Sequence, residues 1–436
     1  HTRSRLLSRG LGDVYKRQEY LLSFFSIYVI VAVVAAAHAL LHVRDSRAAF
    51  GWLGLIVVFP IAGALLYALF GINRVRRKAQ RISQDTDSEP LTDPVTHQAT
   101  DGVLRNRPGY NITGQRVVPG NSVATLYNGE QAFPEMLEAI DKAQREVLLS
   151  SYIFDNDDTG RLFVEKLVAA RDRGCSIYVL IDDVGMRYSF PTIIRELRRH
   201  NIPHKRFMPL KLLPPSFSIN LRTHRKVLVT DRSLAFAGGM NIGDRQLVHG
   251  DSSHRASDLH FRFEGPIIGE FVDLFADDWK FSRGEPPKDW QADNPQDGRA
   301  SCRLITDGPD DTLDSMMLVI MGAIASARSR VWIMTPYFLP ERQMLGCLQA
   351  AALSGVDVKV MIPEKNNWPL VQWALQHTMS ELLDAGVPTH PPPPPKPHRK
   401  TNHNDDHNSQ EGTTNLDPRT QRLNNERGVE VVEPGL

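Results

Sequence analysis

Hydrophobic and polar positions divide the chain into an apolar beginning and a long alternating remainder. Two apolar runs, Tyr20 to Leu41 and Phe50 to Phe70, come first and are separated by a short polar connection. Each run holds about 21 residues, enough to cross roughly 30 Å of hydrocarbon at about 1.5 Å of rise per residue. Pro60 lies within the second run and is compatible with a membrane helix. The pattern therefore predicts a transmembrane helical hairpin over residues 19–78.

The alternative for these runs is a signal peptide followed by a buried core helix. The first run is longer than the apolar stretch of a signal peptide, and a second run follows at once. Cationic residues are sparse in the connection and dense after the second run. They are Arg44 and Arg47 in the connection, and Arg74, Arg76, Arg77, Lys78 and Arg81 beyond it. Because cytoplasmic flanks are enriched in Lys and Arg, we expect a multi-pass membrane protein whose connection is outside and whose remaining body is cytoplasmic.

Beyond a polar linker over residues 79–119, strand-like and helix-like segments alternate. The first series is Val147–Phe154, Leu162–Ala170 and Ile177–Ile181, and the second is Val331–Phe338, Leu345–Leu353 and Val358–Ile362. The repeated strand-helix-strand order predicts an α/β fold with two similar halves, each a mixed β-sheet flanked by helices. We place the halves at residues 120–297 and 298–436.

Both ends of the chain depart from this pattern. The chain has no initiating Met, and residues 1–18 show neither helical nor strand periodicity. The first half contains a helix-like run from Ile268 to Trp279, whereas the second half stops soon after Val429 to Pro434. We therefore treat residues 1–18 as unreliable and expect the second half to be truncated.

Composition narrows the class of protein. The chain has 436 residues, of which 42% are hydrophobic, and a formal net charge of +1. This length allows two sizeable cores, and the balanced charge offers no overall attraction for nucleic acid. Cys175, Cys302 and Cys347 lack metal-ligand spacing. We expect them to be reduced core thiols.

A spaced pattern of polar residues, His-x-Lys-x4-Asp-x6-Gly-x2-Asn, occurs twice along the chain. The first copy is His224, Lys226, Asp231, Gly238 and Asn241, and the second is His398, Lys400, Asp405, Gly412 and Asn415. Every interval is preserved, and five fixed residue types seldom recur by chance over so short a segment. The repetition predicts a duplicated half-site.

These residue types suit chemistry on a phosphodiester. Displacement at phosphorus needs a nucleophile, a proton for the departing oxygen and positive charge near the phosphate, and imidazole can supply the first two. One histidine would form a phospho-histidine while the other protonates the leaving alkoxide. Each lysine lies two residues from its histidine, so both side chains project from one face of an extended strand. Asparagine and backbone donors at the glycines add preorganised hydrogen bonds, and the scheme requires no metal or other cofactor.

The two copies differ in their surroundings. In the first, Val227 to Val229 and Leu234 to Phe236 are apolar runs typical of buried strands. In the second, residues 401–411 contain no apolar side chain, and the pattern favours a loop or disorder. The preceding run, Pro391 to Pro395, is expected to adopt polyproline II, and an SH3-type ligand is the disfavoured alternative.

Acidic residues cluster before one predicted helix. Asp155, Asp157 and Asp158 precede Thr159, and such side chains commonly cap the free amide groups of a first helical turn. Capping is therefore the favoured interpretation. A metal site is the alternative, although the cluster lacks partner ligands elsewhere in the sequence.

The duplicated motif and its context resemble the phospholipase D superfamily, and in particular the bacterial cardiolipin synthase family. The segments that carry the likeness are Ser151–Asp155, Asn220–Lys226, Phe236–Asn241 and Asn415–Arg419. The resemblance implies two halves that form one catalytic site and a covalent phospho-histidine. It implies transfer of a phosphatidyl group between two phosphatidylglycerol molecules, with release of glycerol, at the bacterial inner membrane.

The resemblance also implies residue roles. His224 and His398 would be the nucleophile and the acid or base, in an order that the sequence leaves open. Lys226 and Lys400 would bind phosphate, and the catalytic set would include Asp231 and Asp405 as supporting residues. The substrate-binding residues would be Asn241, Asn415, Gly238, Gly239, Gly412 and Thr413.

Other functions remain open at this point. A hydrolytic phospholipase D or phosphodiesterase would use the same site with water as the acceptor. An inactive, truncated membrane scaffold is suggested by the polar second motif. A nuclease of the same superfamily is disfavoured by the apolar runs and the balanced charge.

Overall fold

The computed structural model divides the chain into two compact units, residues 1–82 and 83–436. Within them the structure describes residues 2–43, 46–71, 107–209, 222–249, 255–285, 287, 295–307, 315–362, 369–390, 400–405, 408–412 and 424–432.

The first unit is helical. Its elements are α1 (Thr2–His42), α2 (Ser46–Val58), α3 (Pro60–Leu66) and a π-helical turn (Tyr67–Gly71). Because adding residues to an existing helix costs little once it is nucleated, α1 extends back to Thr2 through residues without sequence periodicity. Among the described residues one segment, Leu22–His42, is long and apolar enough to cross a membrane.

The prediction of a second continuous span from Phe50 to Phe70 is wrong. The helix breaks at Phe59, before Pro60, because proline has no N–H to donate and its ring clashes with the preceding turn. A Cβ built on Gly63 would lie 2.6 Å from the Leu55 carbonyl oxygen and 2.8 Å from Ile56 Cα. That close approach shows that α3 folds back along α2, and glycine permits it.

The folded-back pair packs against the second half of α1. Ala39, Ile56 and Tyr67 form the buried centre of this small core. Nδ1 of His38 and the hydroxyl of Tyr67 are hydrogen-bonded at 2.7 Å. The three helices therefore form one helical unit with its own core.

The second unit begins with α4 (Arg107–Thr113), within the predicted linker, and then contains the first half. Its strands are β1 (Val118–Tyr127), β2 (Glu146–Ser151), β3 (Ser176–Asp182), β4 (His204–Phe207), β5 (Arg222–Thr223), β6 (Val227–Thr230), β7 (Leu234–Gly238) and β8 (Leu259–Glu264). Its helices are α5 (Asn128–Lys142), α6 (Asp158–Asp172), α7 (Ile194–Arg199) and α8 (Ile268–Phe281), with short 3₁₀ turns at Gly185–Tyr188 and Asp244–Gln246.

The second half repeats much of this order. Its strands are β9 (Ala300–Asp307), β10 (Arg330–Met334), β11 (Asp357–Met361), β12 (Thr389–His390), β13 (Thr401–Asn404), β14 (Asn408–Gly412) and β15 (Asn424–Val432). Its helices are α9 (Ser315–Ser326), α10 (Arg342–Leu353) and α11 (Pro369–Asp384).

The described strands form one sheet, in which the strand order of the second half mirrors that of the first half. The order is β12-β11-β10-β13-β14-β15-β9-β1-β8-β7-β6-β2-β3-β4, with β5 pairing β15 off this path. The outer strands β2, β3 and β4 are parallel, as are β10, β11 and β12, whereas β6 and β13 run antiparallel to their neighbours. The prediction of two similar mixed-sheet halves is confirmed, and the halves meet where β1 pairs with β9.

The prediction of a loop or disorder over residues 401–411 is wrong where the structure describes the segment. β13 and β14 form an antiparallel hairpin that pairs with β10 on one side and β15 on the other. The backbone hydrogen bonds of these two neighbours supply the pairing that the local side chains do not favour. Asn402 and Asn404 are buried as a result.

The acidic cluster before α6 takes the capping role. Asp157 is the N-cap, and its carboxylate accepts a hydrogen bond of 2.9 Å from the Gly160 amide. Asp155 instead forms an ion pair of 2.8 Å with Arg245. The capping interpretation is confirmed for Asp157, and no group of potential metal ligands is found among the described residues.

Candidate active site

The first motif lies at the carboxyl edge of the parallel strands. Ser150, near the end of β2, pairs with Val227 at the start of the antiparallel strand β6. His224 and Lys226 come just before β6, so they lie beside the carboxyl ends of β2 and β3. In sheets with parallel strands this edge is where polar sites are usually built.

The imidazole of His224 is held by a carboxylate from the other half. Its Nδ1 lies 2.8 Å from Oε1 of Glu426, whose side chain is 0% exposed, whereas the His224 side chain is 21% exposed. Glu426 is on β15. This strand pairs in parallel with β5, whose two residues come immediately before His224. With Nδ1–H donating to the carboxylate, the neutral tautomer leaves Nε2 unprotonated and able to attack.

A second contact between the halves fixes the segment around His224. Arg225 forms an ion pair of 2.6 Å with Asp278 of α8 and lies within 3.4 Å of the Glu426 carbonyl oxygen. Asp182, at the end of β3, accepts a hydrogen bond of 3.2 Å from the Thr223 amide. Burial raises the pKa of Asp182, and the Arg222 guanidinium opposes that rise.

Lys226 and Tyr152 surround the imidazole. The ammonium group of Lys226 donates to the His224 carbonyl and lies 5.6 Å from the centre of the Tyr152 ring. That ring lies 4.4 Å from the imidazole, centre to centre. Burial raises the pKa of Tyr152 strongly, with further increases from Tyr188 and Asp182. Its hydroxyl therefore stays neutral and can act as a hydrogen-bond donor near neutral pH.

The glycines and Asn241 of the first motif close the bottom of the site. Oδ1 of Asn241 accepts a hydrogen bond of 3.0 Å from the Ile153 amide, which leaves the amide NH₂ group as the donor end. A Cβ on Gly239 would lie 2.4 Å from the Asp258 carboxylate, and one on Gly238 would lie 2.6 Å from the Leu259 carbonyl oxygen. Glycine is needed at both positions for this packing.

The structure describes part of the second motif. Lys400 is buried and precedes β13, whose Thr401 pairs with Met334 at the end of β10. Lys400 therefore occupies the same edge of its half as Lys226 does. Gly412 lies on β14 and pairs with Gly428. The predicted site residues His398, Thr413 and Asn415 lie outside the described residues.

The strand registers identify a second acidic residue that matches Glu426. Gly238 pairs with His260, and its motif counterpart Gly412 pairs with Gly428. Two residues before His260 and Gly428 along the chain are Asp258 and Glu426. Asp258 is almost completely buried, so the two halves present equivalent carboxylates next to the motif glycines.

The motif aspartates lie at the opposite edge of the sheet from the imidazole. Asp231 accepts hydrogen bonds of 2.8, 2.8 and 2.9 Å from the amides of residues 144, 145 and 146, just before β2. Asp405 accepts equivalent bonds from residues 328, 329 and 330, just before β10. These carboxylates anchor the end of each motif hairpin.

Sequence reasoning assigned no role to Glu426, Asp258 or Tyr152. The two acids follow their motif asparagines, Asn241 and Asn415, at unequal distances, so a search for a fixed interval does not find them. The available signal was the strand pairing, in which each acid comes two residues before the partner of a motif glycine. Tyr152 lies in Ser151–Asp155, one of the segments that carry the family resemblance, but only the fold brings its ring next to His224.

Comparison with known proteins shows the family and the fold. A family model described as "Cardiolipin synthase, PLD-like domain" matches residues 136–279 and 320–436. A second, described as "Phospholipase_D-nuclease N-terminal", matches residues 30–71. The solved structure of phosphatidylserine synthase from Haemophilus influenzae Rd KW20 shares the fold, with a TM-score of 0.61 at 13% identity, over 76% of this chain and 87% of that one.

Two curated relatives match over most of their length. The cardiolipin synthase of Geobacillus thermodenitrificans (strain NG80-2) is 30% identical, over 93% of this chain and 83% of the relative. Cardiolipin synthase A of Pseudomonas putida is 30% identical, over 93% of this chain and 87% of the relative. The duplicated fold and its motifs define an enzyme of the phospholipase D superfamily. Within that superfamily, the chain belongs to the cardiolipin synthase family.

Proposed function

We propose that this enzyme transfers a phosphatidyl group from one phosphatidylglycerol molecule to another, producing cardiolipin and releasing glycerol. The observation that supports this most is the buried carboxylate of Glu426 holding Nδ1 of His224, with Lys226 beside it. This arrangement supplies an oriented nucleophile and a positive charge for a phosphodiester.

The first chemical step forms a phospho-histidine. Nε2 of His224 attacks phosphorus, the new P–N bond forms, and the bond from phosphorus to the glycerol oxygen breaks. Protonated His398 gives its proton to that oxygen, so glycerol leaves as a neutral alcohol. We assign His224 as the nucleophile because the buried carboxylate of Glu426 orients its imidazole through Nδ1.

The second step reverses the roles. A hydroxyl of the second phosphatidylglycerol attacks phosphorus while His398 takes its proton. The P–N bond then breaks and His224 is restored. Lys226, Lys400 and the NH₂ group of Asn241 face the charge that develops on the phosphate oxygens, where fixed donors are most effective. The scheme uses no cofactor.

The same site would hydrolyse phospholipid if water were the acceptor. We favour a lipid alcohol because the apolar segment Leu22–His42 would hold the enzyme where both phosphatidylglycerol molecules are concentrated. Releasing the catalytic body from the membrane should therefore lower synthesis relative to hydrolysis. An unchanged ratio would contradict this role of the anchor.

We place the protein in the bacterial cell membrane with its catalytic body in the cytoplasm. The sequence predicts two crossings, but α2 has 13 residues and the segment Pro60–Gly71 is also short. A crossing needs about 20 residues. We therefore propose that α1 alone crosses the membrane. We propose that α2 enters the membrane from the cytoplasmic face and that α3 returns to the same face.

A membrane assay with labelled phosphatidylglycerol tests the activity directly. Products should be resolved into cardiolipin, phosphatidic acid and unreacted lipid, beside a His224→Ala control. Cardiolipin that is lost in the control supports the proposal. Phosphatidic acid as the only product would instead assign a hydrolase. Absence of both products would favour an inactive scaffold.

A further inference from the structure

We propose that the β3–α7 connection, residues 183–193, and the start of α11 form a surface that docks on an anionic phospholipid bilayer. The connection follows β3 and α11 follows β11, and these two strands occupy matching places in the sheet order. The carboxyl ends of both strands lie at the edge that carries the motifs. The choice of an anionic lipid rests in part on the proposed function.

The β3–α7 connection presents aromatic side chains to solvent from a fixed backbone. Phe190 is 97% exposed and Tyr188 is 59% exposed. Met186 before them and Ile193 after them are buried in the core of the first half. Asn156 also holds the segment, with its backbone amide 3.0 Å from the Ser189 hydroxyl and its side-chain amide 3.0 Å from the Pro191 carbonyl. The aromatic tip is therefore held out from the body at both ends.

Positive charge surrounds this tip. Residues 183–206 contain six Arg and Lys side chains against two carboxylates, a formal charge of +4, whereas the whole chain carries +1. The buried Asp183 carboxylate pairs with Arg187 and Arg206. The six are Arg187, Arg195, Arg198, Arg199, Lys205 and Arg206. Arg195 and Arg198 are exposed, and neither has an ion-pair partner among the described residues. Cationic side chains near an anionic lipid surface are attracted to it.

The aromatic tip is connected to the catalytic residues. The Tyr188 ring lies 6.4 Å from the Tyr152 ring, and the Tyr152 ring lies 4.4 Å from His224. The guanidinium of Arg245 lies 5.7 Å above the Tyr188 ring. A bilayer contacting Phe190 and Tyr188 would thus be adjacent to the site that receives the phosphodiester.

The second half carries an exposed aromatic side chain in the helix that follows β11. Trp373, in the second turn of α11, is 67% exposed. Tyrosine and tryptophan favour the headgroup region of a bilayer because their rings are apolar and their polar atoms remain hydrated. We propose that both exposed aromatic positions, which follow the carboxyl ends of β3 and β11, contact the bilayer.

Spin labels on the full chain test this arrangement. Cys347 is changed to Ala, because Cys175 and Cys302 are buried whereas Cys347 is partly exposed. Single cysteines are then introduced as Phe190→Cys, Trp373→Cys or Leu353→Cys. Leu353 is a matched control, since it is 78% exposed but ends α10, which leads to the amino end of β11. The chain is reconstituted in phosphatidylcholine vesicles with or without phosphatidylglycerol.

Collision of each label with oxygen, which concentrates in the bilayer, is compared with collision with a water-soluble nickel chelate. We expect labels at positions 190 and 373 to favour oxygen several-fold more than the label at 353, and to do so in the anionic vesicles. Arg195→Gln combined with Arg198→Gln should reduce this preference. Labels at 190 and 373 that are as water-exposed as the label at 353 would overturn the proposal, as would equal insertion in neutral vesicles.

The docking test is independent of turnover. Adding His224→Ala to each labelled chain should leave the label positions unchanged, because the imidazole does not contribute to the aromatic tip. Docking that persists in this variant supports the surface even if the activity assay assigns another reaction. Cardiolipin synthesis without docking would overturn the surface and leave the proposed reaction intact.

Discussion

The Glu426 carboxylate, on β15 of the second half, lies 2.8 Å from Nδ1 of His224 in the first half. The carboxylate is completely buried, and β15 pairs with the strand that leads to the histidine. The second half therefore orients the imidazole of His224 in the first half.

Replacing Glu426 with Gln should lower kcat about 10²- to 10⁴-fold, because the carboxylate holds the imidazole in the tautomer and orientation that attack requires. KM should change little, because the carboxylate does not contact substrate. Glu426→Asp should restore part of the activity. Steady-state kinetics on mixed micelles would measure both constants.

Glu430→Gln is the control, since Glu430 is buried on the same strand but pairs with Arg303. A rise in KM with unchanged kcat would contradict the orienting role.

Asp258 should orient His398 in the same way. The register places Asp258 and Glu426 at equivalent positions beside Gly238 and Gly412, and Glu426 pairs with the histidine of the opposite half. We expect Asp258→Asn to lower kcat about 10²- to 10⁴-fold, with little change in KM. Activity equal to that of the parent enzyme would show that the two halves are not equivalent at this position.

The sequence predicted the order of strands and helices because the apolar segments recur in both halves. It did not predict the β13–β14 hairpin, since residues 401–411 owe their conformation to neighbouring strands and not to their own side chains. Pro60 was visible, but membrane helices tolerate proline, so only the structure showed α3 folding back. The pairing of His224 with Glu426 depends on contacts between halves, which no local pattern contains.

Asn404 should be a source of instability in the second half. Its side chain is buried, and neither Oδ1 nor Nδ2 has a hydrogen-bond partner among the described residues. Asn404→Leu should raise the free energy of unfolding by about 1 to 3 kcal/mol, because an unsatisfied amide is replaced by an apolar group of similar size. Thermal denaturation in detergent would measure the change.

Asn241→Leu is the control variant. Oδ1 of Asn241 accepts a hydrogen bond from the Ile153 amide, so this variant should be less stable than the parent protein. Destabilisation by Asn404→Leu would refute the account.

Two groups of the second motif hairpin should make stability depend on pH in separate ranges. Burial lowers the pKa of His403, and Arg330 lowers it further. As pH falls below about 6.5, the unfolded chain binds the proton first, and stability falls. Burial opposes ionisation of Asp405, but hydrogen bonds from Ser329 and Arg330 outweigh it and hold its pKa below the ordinary value. The stability that Asp405 contributes is therefore present above about pH 4 and is lost as pH falls further.

Denaturation temperatures measured across these ranges would separate the two groups. His403→Val should remove the loss that begins near pH 6.5, and valine already occupies the matching position, Val229, in the first half. Asp405→Asn should remove the loss at lower pH. Unchanged pH profiles in both variants would show that the titrating groups lie elsewhere.

The fold-back of α3 along α2 predicts which side of the membrane Arg47 faces. If α2 and α3 enter and leave together, Arg47 lies on the cytoplasmic side with the cationic segment that follows the helices, in accord with the enrichment of Arg and Lys there. In a Cys347→Ala background, Arg47→Cys should react with a membrane-impermeant thiol reagent in inside-out vesicles and not in intact cells. Arg81→Cys is the control, since both arrangements place it inside. Labelling of Arg47→Cys from outside would instead establish that the second apolar run crosses the membrane, as its length alone suggested.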